Sequence, residues 1–384
     1  MRLISSFKFK YRNKKQLKMI KKTICLIIPT VSSGGIEADI LRYLEFLESK
    51  ENITILVRSS KREGDFLKRY QASVFSLKFM SLGYVNPLKL FKLYIYFKNS
   101  RFQTVCDLNS NFSGISMLAS YLAGIKKRIT FYKQGKDHFN PSLIKNGINK
   151  FYNSLVFKYS TDILSNSHSA IEYFFPYRNA NDDRFDVIYN GINADKFNIS
   201  KSKSSIRKSK KIPSDKFVIG HVGRLDKAKN QDVILQVCKQ LYKEHKDIHF
   251  VLCGKDTESL LTKIEALGLS DFFTILGFQN DIPNVLKSFD LFLFPSITEG
   301  QPNALLEAML SGIPIVASDI EPIKECFPKK YHQYLVNPTD SDALCKCILK
   351  LKNQNIDMDE LREYARIKFS ANKNLNAFKN KLSG

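Results

Sequence analysis

The sequence predicts an α/β protein built as two similar domains, each a parallel sheet flanked by helices. Three observations lead there. Short apolar runs alternate with helical patterns of about ten residues, and strands separated by helices of that length pair in parallel. The runs are near-continuously apolar, as strands buried on both faces are. The alternation stops at 199-ISKSKSSIRKSKKIPSD-215 and then restarts. There Ser and Lys dominate and apolar periodicity vanishes, so the stretch reads as a flexible linker and domain boundary. A length of 384 residues fits two domains.

In order, the first half reads as strand 24-ICLIIP-29, the loop 32-SSGG-35, helix 39–49 and strand 53-ITILVR-58. Helix 88–98, strand 103-QTVCDL-108, helix 115–124, strand 128-RITFY-132, a longer helix over about 146–160 and strand 162-DILSNS-167 follow. The second half reads as strand 217-FVIGHV-222, helix 231–244, strand 248-IHFVLCG-254 and helix 258–268. It continues with strand 273-FTILGF-278, helix 282–289, strand 290-DLFLFPS-296, helix 303–311 and strand 313-IPIVAS-318, before helices at 340–352 and 357–382. The expected organisation is a basic extension (1–22), a first domain (23–198), the linker (199–215), a second domain (216–355) and C-terminal helices (356–384) that pack back towards the first domain. A cleft between two such domains, at the carboxyl ends of parallel strands, is where ligands bind.

Lys and Arg number 60 against 37 Asp and Glu, a net charge of +23. Residues 1–200 hold 32 of the basic residues and 15 of the acidic ones, and the first 22 hold nine basic and none acidic. Such an excess asks for an anionic partner: phosphorylated substrate, lipid surface or nucleic acid. Nucleic-acid binding predicts basic residues interleaved with stacking aromatics on one surface. The charge instead gathers in the extension and linker, which argues against it. Seven scattered Cys form no C-x-x-C pair and sit in apolar runs, as buried free thiols of a reducing compartment do. No apolar run approaches the ~20 residues of a membrane span. The segment 21-KKTICLIIPTV-31 imitates a signal peptide, but its core is short and runs into a βα loop. The expectation is a cytoplasmic protein, peripheral on the cytoplasmic face of the cell membrane, with Met1 and Met19 both open as start sites.

Three strand-to-helix loops have phosphate-binding character. In 32-SSGG-35, Gly34 and Gly35 allow close approach of a ligand ahead of free helix N–H groups; an ordinary tight turn is the plainer reading. In 223-GRLDKAKN-230, Arg224 and Lys229 place two cations ahead of a helix N-terminus, which suits a diphosphate; two solvated charges are the alternative. The third is 296-SITEGQPNALLEAMLSGIPIVAS-318. Pro302 suits a first helical turn, which would leave the amides of Asn303, Ala304 and Leu305 without partners inside the helix. Glu299 precedes this helix. Glu307 lies among Leu305, Leu306, Ala308 and Met309, where a carboxylate needs a partner, expected to be a hydroxyl. The acidic triplet 340-DSD-342 has the form of a metal motif, but it opens a helix and reads more simply as its N-cap.

These pieces together resemble a retaining glycosyltransferase of the GT-B fold, family 4. The likeness lies in 220-GHVGRLDKAKN-230, Gly254, 276-LGFQNDIPNVL-286, 290-DLFLFPS-296 and 299-EGQPNALLEAMLSGIPIVAS-318, and in 29-PTVSSGGIE-37 and 188-IYNGINADKF-197 of the first half. It covers roughly residues 23–352. The resemblance implies two Rossmann-like domains facing across a cleft and a metal-independent hexosyl or N-acetylhexosaminyl transfer. It further implies catalytic roles for Arg224, Lys229 and Glu299, with the two cations on the donor's diphosphate and Glu299 on its sugar. Donor-binding positions would be Gly34, Gly35, Gly223, Gln279, Gln301, Asn303, Ala304, Leu305 and Glu307, the last on the ribose. No cofactor or metal is expected. The implied partners are a nucleoside-diphosphate sugar and a glycan or lipid-linked oligosaccharide acceptor of capsule, O-antigen or exopolysaccharide synthesis. An anionic membrane surface is a further partner.

One departure stands out. Relatives carry a first-domain histidine near the strand matching 128–132, close to the reacting sugar. Here 133-KQGKDHFN-140 follows, with His138 at an unsuitable offset, leaving Lys133, Gln134 or backbone groups in its place. His168 reads as a residue near a helix start. The helix 87-PLKLFKLYIYFKNSR-101 reads as a first-domain helix with a solvated basic face or, alternatively, as a membrane-facing one. A nucleotide-sugar 2-epimerase of the same fold is the competing activity.

Overall fold

The computed structural model describes residues 23–47, 52–73, 76–82, 86–136, 143–354 and 356–384. The basic extension and His138 lie outside them. The first sheet contains β1 (Thr23–Ile28), β2 (Ile53–Val57), β3 (Ser76–Phe79), β4 (Phe102–Asp107), β5 (Lys127–Tyr132), β6 (Asp162–Ser165) and β7 (Phe185–Val187). Their order is β3-β2-β1-β4-β5-β6-β7. The second contains β8 (Phe217–Val222), β9 (Ile248–Cys253), β10 (Phe273–Gly277), β11 (Leu291–Phe294), β12 (Ile315–Ser318) and β13 (Leu335–Val336), in the order β10-β9-β8-β11-β12-β13. The strand pairs are parallel: Leu26 of β1 lies beside Ile55 of β2 and Cys106 of β4, and Ile219 of β8 beside Phe250 of β9 and Leu291 of β11.

In both sheets the order reverses beside the first strand, between β1 and β4 and between β8 and β11. The loops leaving those strands diverge there and open a crevice at their carboxyl ends. The central strands are fully buried and apolar, which is why they were legible. The strands without a sequence signal, β3, β7 and β13, are two to four residues long, lie on or next to sheet edges and are largely half-buried, so no continuous apolar run marks them.

The stretch 199–215 is not open chain. Ser202 caps a helix, Lys203–Ser209, by accepting from the Ser205 amide. Its Ile206 is buried, and Arg207 turns inward to donate to Asp290 (2.6 Å) and to the Ser288 carbonyl (2.9 Å). Lys203 joins the same carboxylate at 2.7 Å. Two inward apolar residues, Ile206 and Ile212, and one paired arginine anchor the segment, while Lys201, Ser204, Ser205, Lys208 and Lys211 are exposed.

The C-terminal helices divide between the domains. Asp359–Lys368 puts Leu361 and Ala365, with Phe369 just beyond, into the core of the second domain. Ala371–Ser383 crosses back and lays Leu375, Phe378 and Leu382 on the first sheet. Phe378 sits between Tyr43 (4.9 Å between ring centroids) and Phe131 (5.4 Å). Truncating so buried an aromatic costs about 3–5 kcal/mol. The chain therefore passes between the domains twice, and the two passages touch: Ile192 N–H donates to the Phe369 carbonyl (2.9 Å) and Ala371 N–H to the Ile192 carbonyl (3.2 Å).

All seven cysteines are free and buried. Among the described residues no helix is long and apolar enough to cross a membrane.

Candidate active site

The loop after β8 is shaped by its own side chains. Asp226 accepts from the Ala228 amide (2.9 Å), closing a short turn over Lys227–Lys229. Asn230 then takes a left-handed backbone (φ 56°), and its side-chain amide donates to the carbonyls of Pro295 (3.2 Å) and Pro338 (2.8 Å). Asn tolerates that conformation better than other side-chain-bearing residues. Gln231 holds the Arg224 carbonyl at 2.8 Å, and Ile297 N–H donates to Ala228 at 2.8 Å. The loops after β8 and β11 are thus fastened to each other, and Lys229 and Glu299 meet: Nζ lies 2.5 Å from Oε1. The ammonium also lies 5.1 Å from the centre of the Phe294 ring. Arg224, more exposed, pairs with Asp226 at 3.0 Å.

Glycines let backbone strands come close here. A Cβ on Gly254 (φ 151°) would fall 2.0 Å from the Gly223 carbonyl oxygen. Behind them His221 is buried, with Nδ1 3.0 Å from the Leu293 carbonyl; burial pulls its pKa down to about 4, so the ring is neutral.

The first domain closes directly on this cluster. A Cβ on Gly135 would lie 1.9 Å from the Glu299 carbonyl oxygen, and one on Gly300 would lie 2.5 Å from that of Lys133. Lys133 reaches Asn190 (2.6 Å) and Asp39 (3.2 Å), and its burial lowers its pKa against the opposing pull of Asp39. Asn190 in turn receives Gln301 Oε1 on its backbone N–H (2.5 Å) and donates from its side chain to the Gln301 carbonyl and Asn303 Oδ1, both at 3.0 Å. Asn303 donates to Asp39 at 2.8 Å. Beside this network is a cavity of about 20 Å³, lined by Lys133, Asn190 and Tyr43 among others, large enough for one water.

Some sequence expectations need correction. The Leu305 amide is not free, because it donates to the Pro302 carbonyl at 3.1 Å in a tight first turn; the amides of Asn303 and Ala304 have no such partner among the described residues. The partner Glu307 finds among the described residues is a guanidinium: Arg42 of the first domain lies at 2.8 Å. Burial raises its pKa, and Arg42 opposes that. Gln279 is not part of the cluster; it accepts from Lys210 Nζ (2.9 Å) and donates to the Leu276 carbonyl (2.8 Å). Gln301 is buried and engaged with Asn190. Gly35 does lie opposite the second domain, its carbonyl 3.5 Å from the side-chain Nδ2 of Asn303. Next to it, a Cβ on Gly34 would meet only the end of the Glu37 side chain. Asp340 caps the helix Ser341–Asn353 through the Ala343 amide, and no cluster of metal-ligating side chains occurs among the described residues.

Sequence reasoning missed several paired acids, two of which bridge the domains. Glu37 is buried beside Thr30 (2.6 Å) with its pKa raised by burial. Asp65 holds Lys255 (2.9 Å) and the Ser33 amide, and the Lys255 hydrogen bond is the largest cause that lowers its pKa to about 2. Glu325 of the second domain accepts from the amides of His168 (2.9 Å) and Ser169 (3.3 Å) of the first. An acid followed by Ile and Leu in helical spacing, as at 37-EADIL-41, was the available signal for Glu37 and Asp39.

The same arrangement of paired domains occurs in solved structures. HepE from Anabaena, crystallised with UDP and glucose, superposes with a TM-score of 0.79 at 18% identity over 94% of this chain and 100% of that one. Its complex with UDP-glucose gives 0.78. The sucrose-phosphate synthase of Thermosynechococcus elongatus gives 0.73 over 94% and 98%. The fold is GT-B. Within it, residues 202–368 match the family described as glycosyl transferases group 1. A UDP-Gal:alpha-D-GlcNAc-diphosphoundecaprenol alpha-1,3-galactosyltransferase of Escherichia coli is 29% identical over 181 residues, 45% of this chain and 46% of that protein. The capsular polysaccharide biosynthesis glycosyltransferase CapH of Staphylococcus aureus is 26% identical over 307 residues, 77% and 81% of the two chains. The chain thus spans about half the length of the E. coli relative. In the GT-B cleft, Lys229 and Glu299 come from the matched domain, while Gly135, Lys133 and Asn190 come from the other.

Proposed function

We propose that this protein is a retaining family 4 glycosyltransferase that moves a hexose or N-acetylhexosamine from a nucleoside diphosphate to a lipid-linked glycan at the membrane surface, in cell-surface polysaccharide synthesis. The observation that carries the reading is the Lys229–Glu299 pair, 2.5 Å apart, held at the β8/β11 crevice beside a helix N-terminus and covered by the first domain. Support comes from relatives acting on diphosphoundecaprenol-linked substrates and from GT-B neighbours crystallised with UDP or UDP-glucose.

In this reading the donor's diphosphate shares Lys229 with Glu299 and is met by Arg224 and the amides of Asn303 and Ala304. The bond from the anomeric carbon to the diphosphate oxygen breaks, and the acceptor hydroxyl oxygen bonds to that carbon on the same face. The hydroxyl proton passes to the departing phosphate. Preorganised cations and amides stabilise the charge that develops there, so no metal is required. Glu299 holds sugar hydroxyls. Glu307 reaches the ribose as the domains part and Arg42 releases it.

The test is incubation with a panel of nucleotide sugars and a diphospholipid-linked glycan in the presence of a chelator. Transfer with the anomeric configuration kept is the expected result. An epimerised donor without transfer, inversion, or dependence on added metal overturns the corresponding part.

A further inference from the structure

We propose that the outer face formed by the helices Pro87–Asn99 and Leu143–Tyr159 of the first domain seats the protein on an anionic lipid bilayer. The two flank a third helix, Gly114–Leu122, on one side of the first sheet. The middle helix is sunk between them; a Cβ on Gly114 would lie 2.6 Å from the Tyr152 carbonyl oxygen. The flanking helices therefore form two ridges.

The ridges expose large apolar side chains where solvent-facing helices carry polar ones. On the first, Leu88 is 78% exposed, Phe91 61% and Ile95 39%, at a spacing of three and four residues that aligns them along one stripe. Its opposite side, Leu93 and Phe97, is buried in the core, so the outer stripe is a second apolar face. On the other ridge, Ile148 and Phe151 repeat the pattern, with Phe151 53% exposed. Apolar groups gathered on a surface mark a binding face.

The charge around these groups selects the partner. Lys92 and Lys98 on one ridge and Lys150 and Lys158 on the other are exposed, and none of the three helices contains an Asp or Glu. The one acid between residues 86 and 136, Asp107, is wholly buried. Apolar side chains interleaved with lysines and free of acid match the boundary between anionic headgroups and acyl chains, where the lysine stems reach back to the phosphates. Nucleic acid fits less well, because Leu88, Ile95 and Ile148 offer no ring on which a base can stack. The proposal deepens the membrane-surface part of the function above and rests on it only for where the acceptor lies.

The test is co-sedimentation of the full-length chain with vesicles of phosphatidylcholine alone or with about one-third phosphatidylglycerol. Binding to the anionic vesicles and weakening by salt are expected. Phe91→Ser/Ile95→Ser should lower partitioning by roughly tenfold, and Lys92→Glu/Lys98→Glu by more than tenfold, at about fivefold per lysine lost. Circular dichroism should be unchanged in both, and the charge pair decides the question should the apolar pair unfold. Undiminished vesicle binding in the folded variants overturns the face and assigns attachment to other parts of the chain, such as the basic residues 1–22. A single-stranded oligonucleotide that binds wild type but not the variants, without vesicle binding, also overturns it. Face-dependent vesicle binding without transfer from any donor leaves the face standing and removes the transferase reading.

Discussion

The two domains share a topology and divide the work. The second builds its charged cluster from its own loops: Lys229 and Glu299 are 70 residues apart in sequence but sit on neighbouring loops tied by Ile297 and Asn230. The first supplies the cover. Its contributions at the interface are a backbone glycine, a buried lysine and a set of carboxylates and amides that grip the other domain. A site assembled inside one domain survives rearrangement of the rest, and the family match accordingly falls on residues 202–368.

The largest expected effect tests that the chemistry belongs to the second domain. Lys229→Ala or Glu299→Ala should lower kcat/KM by roughly 10²–10³-fold, with little change in Tm, since the pair is partly solvated. Near-normal turnover in either variant would contradict the division.

The second concerns acid. His221 and His249 of the second domain are both buried and both held down to about pKa 4 by burial. The unfolded chain binds protons from about pH 6.5, so stability is complete above that pH and falls as pH drops towards 4. Each histidine accounts for a loss on the order of 3 kcal/mol. Hydrogen exchange at pH 7 and 4.5 should find the second domain loosening first, and His249→Gln should flatten the profile. Equal loosening of both domains would break the comparison.

A third substitution probes the cover. Gly135→Ala puts a methyl group into the Glu299 carbonyl, so the closed contact cannot form. Transfer should fall by at least about tenfold through misplaced groups, while calorimetry finds nucleotide binding to the second domain retained. The smallest effect is at the rim. Asp65→Asn removes the pair with Lys255, a partly exposed contact worth about 0.5 kcal/mol. Because folding lowers the Asp65 pKa to about 2, that stability is present above about pH 4 and lost as pH falls towards 2. Acid titration of Tm should show the variant missing that step.

The central strands and the strand-to-helix loops of the second domain were legible because each rests on local pattern. Buried strands such as Leu291–Phe294 are unbroken apolar runs, and Glu299, Pro302 and Glu307 lie within one short stretch. What was not legible depends on distant pairing. Nothing near Glu307 announces Arg42, 265 residues away, and Gln301 looks like a substrate contact until Asn190 occupies it. The linker was misread for a related reason: composition averaged over seventeen residues hides the three, Ile206, Arg207 and Ile212, that decide its packing, although Ser202 stood in place as a cap. Leu305 shows a finer limit, since the tight first turn that satisfies its amide is a matter of backbone geometry rather than residue type.

The paired crossings at Ile192 and Ser370 bear on how the cleft works. A single connecting strand would let the domains swing and twist about it freely. Two strands hydrogen-bonded side by side behave as one leaf, which bends easily along one axis and resists torsion. In the structure this leaf joins the domains with Gly135 set against the Glu299 carbonyl, and a hinge of that form favours one rotation over others.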